Sequence, residues 1–494
     1  MNAFARTLGR FCLVKIRDLL GADLRALALF RIALGLLILA QLLDRALVLE
    51  PFYTDRGLFP RSLAISLRKP WEWSFYFMTG STGLVILLFF LAALFAIFLL
   101  IGYHTRLAAF FSYLFVVSLQ SRNVFIPNGG DYLLRILTFW SFFLPLGCRL
   151  SVDAKLNPSF RALPDRTLSA ASAAFLFQAA FIYFFSALSK LSSGPWQSGT
   201  AVYDACALEN YARPFAAVIR SHLPAGLFKT AAYGVIGTEL LGSILLFSPF
   251  LTAPLRMAVV AIFFLMQLGF ALSLEVNLFP WVAVAATLPF LPNSLCDGLW
   301  KRGRGKAGAE KGAFLKAPLW QNLITGFLLI YITLSNVEGL TYKSSFYRSV
   351  FPQFLIPSGI RKIGNLLALD QSWDMFIPPG RVTYWFVGVG KQKDGTQVDI
   401  FQDGAPVNWE KPKRFFKNEP WRAYLMNLGG RHKEALAPYV GPYFCQEWNQ
   451  SRSGDKKLNE IEVFLMSQEN TPLSERSKET QKYYSSLLQY SCNP

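Results

Sequence analysis

The stretch AASAAFLFQAAFI, Ala170 to Ile182, runs directly into YFFSALSKLSSGPWQSG, Tyr183 to Gly199. About twenty residues pass before a charge appears, the length an α-helix needs to cross the hydrocarbon core of a bilayer. Lys190 then arrives where that helix should end, and Trp196 follows a Gly-Pro step. The rest of the chain repeats the apolar pattern. Of its 494 residues, 53% are hydrophobic and 15% aromatic, and only 16% are charged. This composition reads as a polytopic α-helical membrane bundle.

Working outward, the apolar periodicity predicts about nine transmembrane helices. They fall near 26–43, 83–102, 108–120, 131–146, 171–191, 231–246, 257–274, 278–291 and 319–335. The first contains Arg31 and ends in Asp44-Arg45 with no small-residue cleavage site behind it, so it is a retained helix and not a removed signal peptide. Ahead of it, residues 1–24 are basic and amphipathic, as suits a cytoplasmic membrane surface.

The formal net charge is +18. The basic residues gather between apolar runs instead of forming one stripe with interleaved aromatics, so membrane orientation explains them better than a nucleic-acid partner does. With the N-terminus inside, Arg106, the 149–166 loop and the KRGRGKAGAEKGAFLK linker (Lys301 to Lys316) all fall on the cytoplasmic side. An odd number of crossings places the C-terminal portion outside. A bundle over 25–338 is thus expected to precede a small extracytoplasmic α+β domain over 339–494. In that domain RVTYWFVGVGKQKDGTQVDIF carries a hairpin signal at Asp394-Gly395, EIEVFLMS reads as a strand, and WRAYLMNL and EALAPYVGPYFCQEWNQ read as helices.

The six cysteines form no CxxC pair and the three histidines are far apart, so no metal is expected. Cys445 and Cys492 either pair, if their compartment oxidises thiols, or stay free. Motifs of soluble hydrolases and nucleotide-binding enzymes are absent. The informative residues are ionisable groups inside apolar spans, which are costly and point to function. By position alone Lys190 reads as an anchor whose long stem reaches the interface, and Trp196 as an interfacial aromatic. Asn128-Gly129-Gly130-Asp131 reads as a tight turn in which Asp131 is the N-cap of the following helix, with Arg135 paired to Asp131 one turn back. Arg31 needs a partner such as Asp44 or Glu239, and Glu239 is itself a carboxylate in need of one.

Three segments carry a resemblance: LFRIALGLLILAQLLDRALVLEPFYTDRGLFP, SRNVFIPNGGDYLLRILTFWSFFLPLGCRLSVD and IYFFSALSKLSSGPWQSGTAVYDACALENYARP. They resemble the HTTM (horizontally transferred transmembrane) proteins, bacterial relatives of the vitamin K-dependent γ-glutamyl carboxylase of animals. DQSWDMF, WRAYLMNL and YFCQEWN resemble the outer domain that follows the bundle in many bacterial members. The resemblance implies a multi-pass protein of the bacterial inner membrane. It also implies that Lys190, with Leu191 and Trp196, matches the carboxylase lysine that deprotonates vitamin K hydroquinone. A reduced naphthoquinone, O2 and CO2 are then the co-substrates, and a secreted peptide or protein is the partner. Desolvation at a hydrocarbon boundary suits such a base, because it disfavours the ammonium form. On this reading Asn128, Asp131, Arg135, Trp196 and Arg31 are supporting polar and substrate-binding groups.

Two departures stand out. Gly129-Gly130-Asp131 replaces the histidine that follows the carboxylase asparagine, and Gln267 stands where a family histidine is common. The alternative implied by bacterial relatives is a non-enzymatic maturation or export factor for a secreted peptide toxin or protein client, in which Lys190 is structural. Plain transport is weaker, for no inverted repeat or matched pair of broken helices is visible.

Overall fold

A computed structural model describes residues 15–299, 313–351, 356–475 and 480–492. Most of the basic N-terminal segment and of the 301–316 linker therefore lies outside the described residues. Each of the nine expected segments falls on a helix. These are α1 (Leu24–Ala46), α2 (Thr82–Ile101), α3 (Thr105–Arg122), α4 (Gly129–Ser141), α5 (Ala170–Leu191), α6 (Ala225–Leu245), α7 (Thr252–Ser273), α8 (Phe279–Thr287) and α9 (Leu319–Lys343). Nine crossings do not follow. Among the described residues, α1, α2, α5, α7 and α9 are long and apolar enough to cross a membrane, and a bent pair, Phe279–Phe290 with Asn293–Leu299, would make six. With 13 residues, α4 reaches only about 20 Å, short of the ~30 Å hydrocarbon core.

Local chemistry sets the helix ends. Asp23 caps α1 by accepting from Arg25 N. Ser169 and Ser172 form a reciprocal capping box at the start of α5. At the end of α2, Gly102 takes the left-handed φ of +71°, which side chains bearing a Cβ rarely adopt.

Burial sorts the spans. Within the most apolar window of each helix, α5 is 72% buried and α1 61%, whereas α2 and α7 are 28% buried. The central α5 is rich in Ala and Ser, small residues that let neighbouring backbones approach where no hydrophobic driving force separates protein from lipid. It packs on α6 and α9. At one end of the bundle three short strands tie distant segments together: β1 (Ala22–Asp23), β2 (Arg166–Leu168) and β3 (Leu315–Lys316). β2 pairs antiparallel with β1 and parallel with β3.

The C-terminal region holds a four-stranded antiparallel sheet in the order β5-β4-β6-β7. The strands are β4 (Val382–Gln392), β5 (Gln397–Asp399), β6 (Leu458–Glu469) and β7 (Lys482–Ser491); α11 (Lys433–Gln450) packs on β6 and β7 and against α10 (Glu419–Leu428). The hairpin turns at Gly395, φ +87°, as its Asp-Gly step predicts. A disulfide joins Cys445 on α11 to Cys492 just after β7, which resolves the choice the sequence left open. This region is seated on the bundle: Trp421 meets Phe52 edge-on at 5.1 Å, and the Tyr424 hydroxyl donates to Leu58 O at 3.2 Å.

Candidate functional site

Lys190 is the penultimate residue of α5, yet it is buried, with its side chain 6% exposed. Its Nζ lies 2.6 Å from both carboxylate oxygens of Glu239 and 2.6 Å from Ser186 Oγ. Glu239 sits fourteen residues after Ala225, about 21 Å along α6 at 1.5 Å per residue. Lys190 is therefore level with the interior of a neighbouring helix, not with its end. The snorkelling reading is thereby overturned, because Nζ is held by buried partners and does not reach outward; the short helices Gly194–Ser198, Ala201–Ala207 and Pro214–His222 then follow before α6 begins. The lysine is also not an isolated amine but half of a buried ion pair.

This pair lines a cavity of about 340 Å³. The walls are mainly apolar, and their polar groups include Lys190, Glu239, Ser186, Tyr183 and Gln267. Trp196 lies over the lysine, its ring centred 5.0 Å from Nζ, and its Nε1 donates to Phe376 O at 2.9 Å. Gln267 is 2% exposed and its Oε1 has no partner among the described residues. The segment around DQSWDMF supplies another wall through Trp373, Met375 and Phe376. It is pinned by Gln371 to Gln178 at 2.8 Å, by Trp373 Nε1 to Gln371 Oε1 at 3.0 Å, and by Lys343 to Ser372 and Asp374. Burial opposes the charge on Asp374, but the Lys343 ammonium and the Ser372 hydroxyl outweigh it and hold the carboxyl below its ordinary range.

The six expected site residues are not brought together. Lys190 and Trp196 share the cavity. Asn128 caps α4 with Asp131 in a capping box and lines two neighbouring hollows instead. Asp131 is not among the residues lining the lysine cavity. It accepts from Arg45 Nη2 at 2.7 Å, Gln41 Nε2 at 2.5 Å and Asn128 N at 2.8 Å, so it is occupied as a structural carboxylate and does not replace a missing histidine. Arg135 pairs with Asp370 at 3.0 Å, not with Asp131, whose oxygens α1 has already taken. Arg31 pairs with neither Asp44 nor Glu239. Fully buried, it donates to Leu150 O at 2.5 Å, and Asp44 bonds Arg45 and Asn277.

Sequence reasoning did not assign Glu239, Ser186, Tyr183 or Gln267 to the lysine. The signal was available for Glu239: opposite lone charges in adjacent apolar helices are least costly when paired. Among the described residues no group of three or more His, Cys, Asp and Glu side chains is placed to hold a metal ion. A model of the HTTM domain matches residues 21–294, the stretch from β1 past α8. No curated protein and no solved structure matches the chain.

Proposed function

The chain belongs to the HTTM domain family, and from that premise we propose a membrane enzyme of the carboxylase type. In this proposal Lys190 removes a hydroxyl proton from an apolar-tailed hydroquinol of the reduced naphthoquinone class, and a secreted peptide or protein is the substrate. The observation that carries it is the buried Lys190–Glu239 pair, lining a cavity whose walls are mainly apolar. A volume of about 340 Å³ lies within the range of small-molecule sites. The Oε1 of Gln267, without a partner among the described residues, suits a ligand hydroxyl, and Tyr183, stacked at 3.8 Å on Phe263, forms part of the same wall. The quinol, with O2 and CO2, supplies when bound the strong base and the new carboxyl group.

The chain's own residues hold and move one proton. Within the pair a proton lies between Nζ and the carboxylate. When it rests on Glu239, the neutral amine accepts the proton of a hydroxyl placed against it, and the ammonium that forms is balanced by the oxyanion left behind while Glu239 stays a neutral acid. Trp196 and the 370–376 segment exclude water from that exchange. The C-terminal region lies on the oxidising, extracytoplasmic side of an inner membrane, a placement supported by the Cys445–Cys492 disulfide.

A second reading, a client-holding maturation factor, is favoured by one specific feature: Ser186 and Glu239 already satisfy the donors of Nζ, so the pair is complete as a structural element. Lys190→Arg separates the two. Arginine keeps the ion pair but cannot serve as a base. The enzyme predicts that secreted peptides from cells with this variant lose the mass gain of one CO2 that wild-type cells impart, with the protein still folded. Retained function in the arginine variant leaves only the maturation factor.

A further inference from the structure

A second cavity, of about 400 Å³, shares Gly129, Val276, Met375 and Phe376 with the lysine cavity. It opens against a strand edge. β4 pairs with β6 from Val382 to Gln392 but with β5 only from Val389 to Lys391. The Gly388 carbonyl accepts from Ile400 N at 2.8 Å on the β5 side, so the even-numbered residues of β4 turn their backbone N–H and C=O away from β6. Val382 and Tyr384 therefore present those groups along an edge that β5 does not reach, and both line the cavity.

Next to that edge stand two buried polar side chains with unmet capacity. Arg422, 5% exposed, stacks on Tyr211 with Cζ 3.6 Å from the ring centre, and one of its nitrogens binds Glu419. Its Nε and Nη1 have no partner among the described residues, and neither does Oδ1 of Asn210, 6% exposed. Both residues line the same cavity. An open strand edge with donors and acceptors in alternation is the template on which an extended peptide adds as a further strand. A buried guanidinium with spare donors selects a carboxylate, and a chain of net charge +18 disfavours basic ligands.

We propose that this cavity docks an extended peptide by backbone pairing to the Val382–Tyr384 edge of β4, with Arg422 receiving an acidic side chain of that peptide. The inference rests on the reading that the chain acts on, or holds, a secreted peptide. It adds where that peptide lies, and the shared wall of Gly129, Met375 and Phe376 brings it beside the lysine cavity.

The test uses the full chain in lipid nanodiscs and fluorescein-labelled acetyl-Thr-Val-Glu-Val-Thr-amide, compared by anisotropy with the peptide carrying Gln in place of Glu. The Glu peptide binds about tenfold tighter than the Gln peptide, and Arg422→Gln abolishes that difference. Tyr384→Pro removes the outward N–H without touching the β6 ladder and weakens both peptides about tenfold. This second variant keeps the test intact if Arg422→Gln fails to fold. The proposal is overturned if wild type shows no saturable binding, if the two peptides bind alike, or if Tyr384→Pro binds as well as wild type. Because the readout is binding, its failure leaves the Lys190 chemistry standing, and inactivity of Lys190→Arg leaves this docking edge untouched.

Discussion

At the scale of single residues, Lys190 and Glu239 form a pair in which each charge is tolerable only because of the other. Lys190→Ala leaves an uncompensated buried carboxylate and should cost about 3–5 kcal/mol, whereas the double change Lys190→Met with Glu239→Leu should be near neutral or stabilising. Thermal unfolding in nanodiscs measures both. A catalyst predicts that the double variant is stable and inactive; a purely structural pair predicts stable and active. The Glu419 carboxyl behaves differently, because burial pushes it up to about 7 from 4.5 while Arg422 and Arg45 pull the other way without cancelling the effect. The folded protein thus keeps a proton there that the unfolded chain has released. This contribution is complete below about pH 4.5 and fades as pH rises through about 7, by roughly 3 kcal/mol at most. Melting temperatures of wild type and Glu419→Gln, compared near pH 5 and pH 8, check the sign: only wild type should lose stability on going up. The sequence made Lys190 visible as a misplaced cation. It could not show which carboxylate answered it, because pairing across helices depends on rotation about each axis, and one position along a helix turns a side chain by about 100°.

At the scale of elements, the helices were legible because most are apolar runs, and α1, α4 and α5 also have side-chain caps in the residues before them. The number of crossings was not, because an apolar run does not fix helix length: α4 has 13 residues and α8 has 9, too few to span a bilayer. The last turn of α5 is mixed: Lys190 is buried against Glu239, while Leu191 beside it is exposed. The end of α2 is constrained. A Cβ on Gly102 would meet the Arg31 guanidinium and approach Ser151, and the residue's φ is +71°. Gly102→Ala should therefore destabilise by about 2–3 kcal/mol, while Gly83→Ala, with open space around it, should be neutral or slightly stabilising. Paired melting curves settle the comparison. The capping turn is present, but its N-cap is Asn128 and not Asp131, which sits at the third helical position and is held by Arg45, a partner 86 positions away that no local pattern indicates.

At the scale of the whole molecule, the disulfide closes a loop with a sequence separation of 47, for which chain entropy gives about 4 kcal/mol. Cys445→Ser should lower stability by about that amount in the C-terminal region. In intact cells the pair should resist thiol alkylation until a reductant is added, as an oxidising compartment requires. The hairpin, the two helices and β6 were legible from turn chemistry and periodicity, while β7 and the region's seating on the bundle, through pairs such as Phe52 and Trp421, were not. The little sheet at the opposite end carries a consequence for biogenesis. Its third strand, Leu315–Lys316, joins a partner 148 residues earlier through the Thr167 hydroxyl and Leu315 carbonyl. Like a drawstring threaded last, it cannot be pulled tight until the ribosome has delivered most of the bundle, so the earlier helices must wait together in the bilayer for a clasp that arrives late.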